Sequence, residues 1–422
     1  MNQMSALQYG IIFLCFVMNM CDGMDVMAVS YTAKEISTEW SVSPKNFGFV
    51  FSAGLIGMGL GALVLAPLAD RAGRKALIVI CLVLMGVTSL LTSLVDSMAM
   101  LIAARIITGL GLGCLLACIN VLAAEYASSK TRNFWVSFVG SGYPAGAMLS
   151  GLFADFVIVQ YGWRMLFIVV GLLTLLVVPL AIFYLRESFD FLLKKQPKNA
   201  LVRINKIFRS MNMEALETLP QKTPSTSNSS IVNLFSTDLK RSTCIMWIAF
   251  FFCFGSFYFL TSWIPKLASD FGFSDALAIY AGLIFNLGSM LGVLSQGYLS
   301  TKLGIKGVIG FYLILGGVLM FLFGLFTNQI LLLCLFACIG FGIQGGLIGL
   351  YAISVNVYNT SIRSTGIGWA IGMGRFGAIL GPVVGGIFIS HGFSTGANFM
   401  LFAIPCILAG IIILFVQLNR KS

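Results

Sequence analysis

The chain alternates between long apolar runs and short polar breaks along almost its whole length. A helix needs about 20 predominantly apolar residues to cross the hydrocarbon core of a bilayer. Runs that meet this length cover residues 9–31, 47–69, 76–96, 99–123, 134–158, 164–185, 242–264, 276–300, 305–327, 329–354, 365–390 and 397–418. The pattern therefore predicts an all-α membrane protein with twelve transmembrane helices.

One long polar stretch divides these runs into two sets of six. We expect residues 1–185 to form an N-terminal six-helix bundle, residues 186–241 a cytoplasmic central loop, and residues 242–422 a C-terminal six-helix bundle. Within the loop, residues 200–209 place apolar side chains on one helical face and basic ones on the other. This pattern is typical of a helix that lies on an anionic membrane surface, and a solvated loop helix is an equally good interpretation.

The composition agrees with a membrane protein. Hydrophobic residues make up 58% of the 422 residues and charged residues 10%, whereas a soluble domain carries about 25% charged residues. These values exclude an ordinary soluble domain and a disordered chain.

The positive charges indicate how the chain is oriented. With the N-terminus inside, 20 of the 26 Lys and Arg residues lie in the inner loops and C-terminal tail and 4 in the outer loops. Basic residues concentrate on the cytoplasmic side of membrane proteins. We therefore expect a multi-pass protein of the cell (inner) membrane with both termini in the cytoplasm. The net charge of +11 is spread over short loops, so we expect no nucleic-acid partner.

The two halves of the chain repeat each other at a constant offset of 231 residues. The matching positions are residues 70–73 and 301–304, Gly109 and Gly340, and Gly146 and Gly377. Several matches at one offset indicate an internal duplication. Two parallel six-helix repeats are typical of secondary transporters, which bind their substrate near the middle of the membrane.

Two motifs resemble signatures of the major facilitator superfamily. Residues 66–75, Ala-Pro-Leu-Ala-Asp-Arg-Ala-Gly-Arg-Lys, resemble its loop between helices 2 and 3, with Ala66 in place of the usual Gly. Arg105, Gly109 and Gly113 are spaced as in its helix 4 signature. The resemblance covers the whole chain and implies two pseudo-symmetric six-helix bundles that work by alternating access.

A second resemblance is to the aromatic acid:proton symporters, the family of benzoate, hydroxybenzoate and muconate transporters. It rests on Asp22-Gly23-Met24-Asp25 in helix 1 and on residues 374–386 in helix 11. It implies a proton-coupled symporter that imports a small organic anion, foremost an aromatic carboxylate. A drug or metabolite:proton antiporter of the same fold is the alternative.

Asp22 and Asp25 are the candidate proton-coupling residues. A charge deep in a membrane span costs about 2.5–3.5 kcal/mol on insertion scales, so such residues indicate function. The two acids are three positions apart and share one helix face. Their mutual repulsion favours a bound proton. The alternative is a pair of hydrogen bonds between helices.

The candidate substrate-binding residues combine a cation with aromatic rings. Arg375 lies deep in the eleventh span, and its planar guanidinium suits a carboxylate. A permanent salt bridge from Arg375 to Asp22 or Asp25 is the alternative. Arg105 is predicted to pair with Asp22 or with Glu125, either in substrate or proton coupling or as a static bridge. The complete candidate set is Arg375, Arg105, Asp25, Tyr258, Trp369 and Tyr143.

The predicted gate lies on the cytoplasmic side, where charge pairs between helix ends can hold the protein closed. Glu125 and Arg132 are expected to pair there. The complete set of gating candidates is Asp70, Arg71, Arg74, Glu125, Arg132 and Arg363.

Other kinds of chemistry find little support in the sequence. With His391 as the single histidine, we expect no metal site, and no Gly-Lys-Ser/Thr phosphate loop is present. A membrane-embedded enzyme would need a nucleophile and a base, and a passive channel would not need opposite charges buried in its spans. We therefore predict a transporter that is not an enzyme and uses no cofactor besides the coupling proton. Its expected partners are a small organic acid and membrane lipid, and we expect it to function as a monomer.

Overall fold

The computed structural model describes residues 4–128, 131–211, 214–220, 234–236, 239–358 and 362–418, apart from the side chains of Asp70, Asn133, Arg363 and Ser364. Within these ranges the regular structure is helical throughout. Twelve helices there are long and apolar enough to cross a membrane. The predicted all-α fold with twelve transmembrane helices is therefore confirmed.

The twelve helices follow the predicted runs closely. They are α1 Ala6–Glu39, α2 Pro44–Leu68, α3 Arg74–Thr92, α4 Met98–Tyr126, α5 Phe134–Tyr161, α6 Trp163–Tyr184, α7 Lys240–Asp270, α8 Asp275–Leu303, α9 Ile305–Leu325, α10 Gln329–Val357, α11 Thr365–Ser390 and α12 Thr395–Ile413. Both α1 and α7 extend beyond their apolar runs. The backbone hydrogen bonds of a helix can continue beyond the hydrocarbon core, because charged side chains there reach water.

Short polar side chains begin several of these helices. Ser97, Ser274 and Ser394 each accept a hydrogen bond from the backbone amide three residues later, and Asn328 accepts two. These caps satisfy amides that have no partner inside the helix, and they start α4, α8, α12 and α10. The short polar breaks in the sequence thus fix where these four helices begin.

The internal duplication is visible in the packing of paired helices. A Cβ atom on Gly57 of α2 would collide with the carbonyl oxygen of Ile106 in α4. At the offset of 231 residues, a Cβ atom on Gly288 of α8 would collide with the carbonyl oxygen of Ala337 in α10. Both halves therefore use a glycine at the same place to bring two helix backbones together.

The packing divides the chain into two compact units. The first takes in the described parts of Met1–Asp25, Ile56–Gly146 and Phe167–Thr226. The second takes in the described parts of Val26–Leu55, Ala147–Leu166 and Ser227–Ser422. Four helices, α1, α2, α5 and α6, each contribute residues to both units, and α1 passes from one to the other directly after Asp25.

Two short helices follow α6 in the first unit, Phe189–Lys195 and Ala200–Ser210. The apolar side of the second helix is covered by protein, since Ile204 and Ile207 are buried and Phe208 packs on Phe189 at a ring distance of 5.8 Å. The sequence pattern would place the apolar side of this helix against lipid, but in the structure that side packs against other protein residues. The basic side of this helix faces outward.

Candidate functional site

A buried ion pair joins α1 and α4 in the first unit. Nη1 of Arg105 donates a hydrogen bond to Oδ2 of Asp25 over 3.1 Å, and the two side chains are only 3% and 5% exposed. Such a pair has lost most of its hydration, so it depends on close geometry and on further polar contacts. The sequence favoured Asp22 or Glu125 as the partner of Arg105. The structure instead pairs Arg105 with Asp25, while Glu125 pairs with Arg74.

Three more side chains complete the surroundings of this pair. Nη2 of Arg105 donates to Oγ1 of Thr92 over 2.7 Å, and the Arg105 guanidinium lies 5.3 Å from the ring centre of Phe167. Ser89 lies against the Asp25 carboxylate. These contacts come from α3 and α6, so four helices of the first unit hold one acid and one base in place. A proton that binds Asp25 must compete with Arg105.

Asp22 and Tyr143 are buried on α1 and α5, two helices that pack together in the first unit. Asp22 is buried one helical turn before Asp25 on α1. Tyr143 is buried on α5 directly after Gly142, where a Cβ atom would meet the carbonyl oxygen of Phe16 at 2.5 Å. The helix that carries the two acids is therefore packed tightly against the helix that carries Tyr143.

In the second unit, Arg375 of α11 lies among aromatic side chains of α7. Its Nη1 donates a long hydrogen bond of 3.5 Å to the hydroxyl of Tyr258, and its guanidinium lies 5.8 Å from the ring centre of Phe254. The charge of Arg375 also acts on Tyr351 of α10. We call Arg375, Phe254, Tyr258 and Tyr351 the arginine–aromatic cluster.

The rings of this cluster also contact each other. Phe254 lies 5.9 Å from Tyr258 and 6.4 Å from Tyr351, while Phe250 meets Tyr351 edge to face at 5.3 Å. Two of the sequence candidates, Arg375 and Tyr258, are therefore brought together. Phe254 and Phe250 were not singled out from the sequence, although their spacing of four residues on one helix face was a usable signal.

Trp369 takes a different position. It stacks on Trp247 of α7 at 5.8 Å and is 45% exposed. It precedes Arg375 by six residues, which places it about 120° away around the helix axis. The structure gives Trp369 a ring partner of its own and does not place it among the described contacts of the arginine–aromatic cluster.

The gating candidates gather in part around Glu125, at the end of α4. Arg74, at the start of α3, forms an ion pair with Glu125, and both side chains are largely buried. The Ser188 hydroxyl and the Phe189 amide donate to the Glu125 carboxylate over 3.0 and 2.9 Å. All four residues belong to the first unit, so this network connects helices within that unit.

The other gating candidates are arranged differently from the expectation. Arg74, rather than Arg132, is the arginine at Glu125, and both Arg132 and Arg71 are exposed. The side chains of Asp70 and Arg363 lie outside the described residues.

Glu187 is a buried residue of this region that the sequence analysis missed. Its carboxylate accepts hydrogen bonds from the amides of Lys75 and Ser188 over 3.1 and 3.0 Å. A Cβ atom on Gly73 would stand only 2.5 Å from Oε2 of Glu187. Gly73 also has a φ of +99°, a backbone conformation that favours glycine. The available signal is the position of this acid, directly after the sixth apolar run at the start of the central loop.

On the predicted outer side, the second unit contains a set of contacts between the two sequence halves. Ser30 donates to the carbonyl oxygen of Ser262 over 2.8 Å, and Phe51 lies 5.1 Å from the ring of Trp263. Lys34 also forms an ion pair with Asp275. These contacts attach the ends of α1 and α2 to α7 and α8.

Among the described residues, no group of three or more His, Cys, Asp or Glu side chains could hold a metal ion.

Comparison with known sequences places the chain among transporters. The sequence profile of the Major Facilitator Superfamily matches residues 15–350 and 246–422. The benzoate transport protein of Acinetobacter baylyi is 29% identical, with 100% of this chain and 91% of that protein covered. The 3-(3-hydroxy-phenyl)propionate transporter of Escherichia coli is 32% identical, with 97% and 94% covered.

Comparison with solved structures gives the same architecture. The proton:xylose symporter XylE, bound to 6-bromo-6-deoxy-D-glucose, matches with a TM-score of 0.72 at 16% identity. The match covers 98% of this chain and 96% of that chain. At this identity the likeness shows the fold alone.

Proposed function

Because the chain belongs to the major facilitator superfamily and is a multi-pass membrane transporter, not an enzyme, we propose that it imports an aromatic carboxylate together with protons. The arginine–aromatic cluster is the observation that carries the proposal. An aromatic acid has a planar anion at one end and a flat apolar ring at the other. Arg375 suits the first and the rings of Phe254, Tyr258 and Tyr351 suit the second.

The sequence relatives support the same substrate class. Those described above are transporters of benzoate and of 3-(3-hydroxyphenyl)propionate, which both combine a carboxylate with an aromatic ring. A guanidinium has five N–H donors and can hold a carboxylate through two of them. Binding one anion beside Arg375 would therefore replace the long contact to Tyr258 with shorter, charge-assisted hydrogen bonds.

The proton is proposed to bind the acid pair of α1. When Asp25 is ionised, it is held by Arg105; when it is protonated, the attraction between α1 and α4 falls. The protonation state of Asp25 would thus set how firmly these two helices are joined. Asp22, one turn away on the same face, is the proposed second acid of this relay.

Alternating access is the proposed mechanism, and the contacts on the predicted outer side support it. They include hydrogen bonds from the hydroxyls of Ser30 and Ser52, one ring pair and one exposed ion pair. Contacts of this size can be broken and remade in each cycle. Both termini are proposed to lie in the cytoplasm and the protein to lie in the inner membrane, because the basic residues concentrate on that side. The monomer is the proposed functional unit, with the proton as the coupling ion and no other cofactor.

An uptake assay tests the proposed function. The purified protein would be placed in liposomes that are acidic outside, and the uptake of labelled benzoate and 3-(3-hydroxyphenyl)propionate would be followed. Liposomes without protein measure how much of the neutral acid enters by itself. We expect faster initial uptake than in those liposomes, and a protonophore should abolish the accumulation. Accumulation driven by a proton gradient of the opposite direction would instead indicate the antiporter alternative.

A further inference from the structure

Three basic side chains converge at the predicted cytoplasmic ends of α3 and α6. Nζ of Lys75 donates to the carbonyl oxygen of Ile182 over 2.6 Å, near the end of α6. Arg186, just after α6, and Arg203, on the helix Ala200–Ser210, lie close enough for their charges to act on Lys75. We call Lys75, Arg186 and Arg203 the basic triad.

The triad brings three positive charges together, and the described carboxylate beside it is that of Glu187. The acid that acts on Lys75 is Glu187, whose carboxylate already accepts two backbone amides. Within the described part of the chain, no carboxylate forms an ion pair with Arg186 or Arg203. Bringing like charges together costs free energy unless an anion joins them. The arrangement therefore suits an external anion.

The surface beside the triad is apolar. The last residues of α6 include Phe183 and Tyr184, which are 73% and 68% exposed. Aromatic side chains are enriched where a transmembrane helix leaves the membrane, and tyrosine places its hydroxyl among the headgroups. The triad therefore lies at the depth of the lipid headgroups, beside side chains that contact acyl chains.

The short helix Ala200–Ser210 adds further positive charge at the same level. Its apolar side is covered by protein, so its basic side, with Arg203 and Lys206, is exposed. Val202 is 68% exposed on this outward side, next to Arg203. A helix fixed in this way presents charge to the membrane surface without inserting its apolar side.

We propose that the basic triad is a binding site for the phosphate headgroup of an anionic phospholipid. The phosphate oxygens would accept hydrogen bonds from Arg186 and Arg203 and lie against the ammonium group of Lys75. The acyl chains would pass along Phe183 and Tyr184. Clusters of Lys and Arg directly beside a transmembrane helix are suited to anionic headgroups, and each adds about 1 kcal/mol of attraction at the surface. The site is independent of the proposed substrate and of proton coupling.

Lipid retention by the full-length protein tests this site. The protein would be purified in detergent with mixed phosphatidylglycerol and phosphatidylcholine, and the bound lipid measured by native mass spectrometry. The variant Arg186→Gln/Arg203→Gln removes two charges of the triad. Lys195→Gln/Lys198→Gln removes two exposed charges nearby and is the matched control. We expect the triad variant to bind phosphatidylglycerol roughly 30-fold more weakly, and the control to change it much less.

Two comparisons distinguish a bound lipid from free phosphate and from non-specific attraction to positive charge. Inorganic phosphate and glycerol phosphate are expected to raise the melting temperature of the native protein far less than phosphatidylglycerol does. If they stabilise it equally, the site binds free phosphate and the lipid proposal is wrong. The proposal is also overturned if the triad variant retains the native preference for phosphatidylglycerol, or if both double variants lose it equally. A circular dichroism spectrum equal to the native one would show that each variant is folded.

Discussion

Arg105 of α4 and Asp25 of α1 form an ion pair of 3.1 Å in which both side chains are almost completely buried. An ion pair in such a place is strongly destabilised when one partner is removed, because the other charge stays buried without compensation. Under the proposed mechanism, one proton on Asp25 would remove the charge that holds Arg105. Protonation of α1 would then be linked to the position of α4.

Asp25→Asn should abolish proton-driven accumulation, because the amide cannot bind and release a proton at physiological pH. Asp22→Asn should reduce it strongly. Exchange of labelled for unlabelled substrate across the membrane needs no net proton movement, and we expect it to survive in part. Accumulation and exchange would be measured in the same proteoliposomes under an imposed pH gradient.

Asp155→Asn is a matched control for these variants, since Asp155 is another acid within a spanning helix. Asp25→Glu keeps a titratable acid and should recover part of the accumulation. Because Asp25→Asn also leaves Arg105 without its counter-charge, a loss of about 3–5 kcal/mol of stability is expected and would be followed by thermal unfolding. Normal accumulation by both asparagine variants would place the proton site elsewhere.

Arg375→Lys should weaken the binding of an aromatic carboxylate, and Arg375→Ala should nearly abolish it. Lysine keeps the charge but loses the planar pair of donors. A hydrogen bond to a charged group contributes about 1.5–3 kcal/mol, which corresponds to roughly a 10- to 150-fold loss in affinity. Competition binding with labelled benzoate would measure the change.

Ligand chemistry gives a second test of the same cation. An amide analogue should compete poorly with the acid at the native protein, because it is neutral and offers Arg375 no anion. Trp369→Ala should have a small effect on affinity, since Trp369 stacks on Trp247. Equal competition by acid and amide would contradict the carboxylate role of Arg375. Stronger competition by straight-chain dicarboxylates would retain that role and contradict an aromatic substrate.

Arg74→Ala and Glu125→Gln should each lower the melting temperature. Each change breaks the ion pair at the ends of α3 and α4, which is largely buried and has further donors from Ser188 and Phe189. We expect a loss of about 3 kcal/mol or more for the arginine, which leaves a buried carboxylate, and less for the isosteric glutamine. Arg132→Ala, at an exposed position, is the control. A larger effect of Arg132→Ala would support the pairing that the sequence suggested.

Gly48→Ala should slow net uptake by preventing a close approach on the predicted outer side. A Cβ atom on Gly48 of α2 would stand 2.8 Å from the carbonyl oxygen of Pro382 in α11. Gly59→Ala, on the same helix, meets no atom within 4 Å and is the matched control. Alanine in place of glycine usually stabilises a helix by about 1 kcal/mol, so a stable but slow Gly48 variant would point to a conformational effect. Equal uptake rates for the two variants would show that this contact is not remade during transport.

The sequence was sufficient for the helices and the repeat because both depend on patterns along one chain. The length of an apolar run determines whether a helix can cross a membrane, and a constant offset between glycines such as Gly57 and Gly288 determines which contacts repeat. The end of α1 at Glu39 was not predictable in the same way. Hydropathy reports where the hydrocarbon ends, whereas backbone hydrogen bonding determines where the helix ends.

The candidate site was predictable in its residue types and less so in its pairs. Arg105 was expected to pair with Asp22 or with Glu125, and the rotation and depth of α4 bring it to Asp25 instead. Trp369 was chosen by residue type, and its place follows from its angle around the helix relative to Arg375. Glu187 was missed because a buried acid just beyond an apolar run has the sequence of a loop.

Proton entry that accompanies substrate entry tests the central claim most directly. Liposomes containing the native protein and a pH-sensitive dye inside would be given 3-(3-hydroxyphenyl)propionate outside, with equal pH on both sides. The native protein should acidify the interior faster than protein-free liposomes do, and the Asp25→Asn variant should not. Fast entry of labelled substrate through the native protein, with no acidification beyond that of protein-free liposomes, would contradict proton-coupled symport.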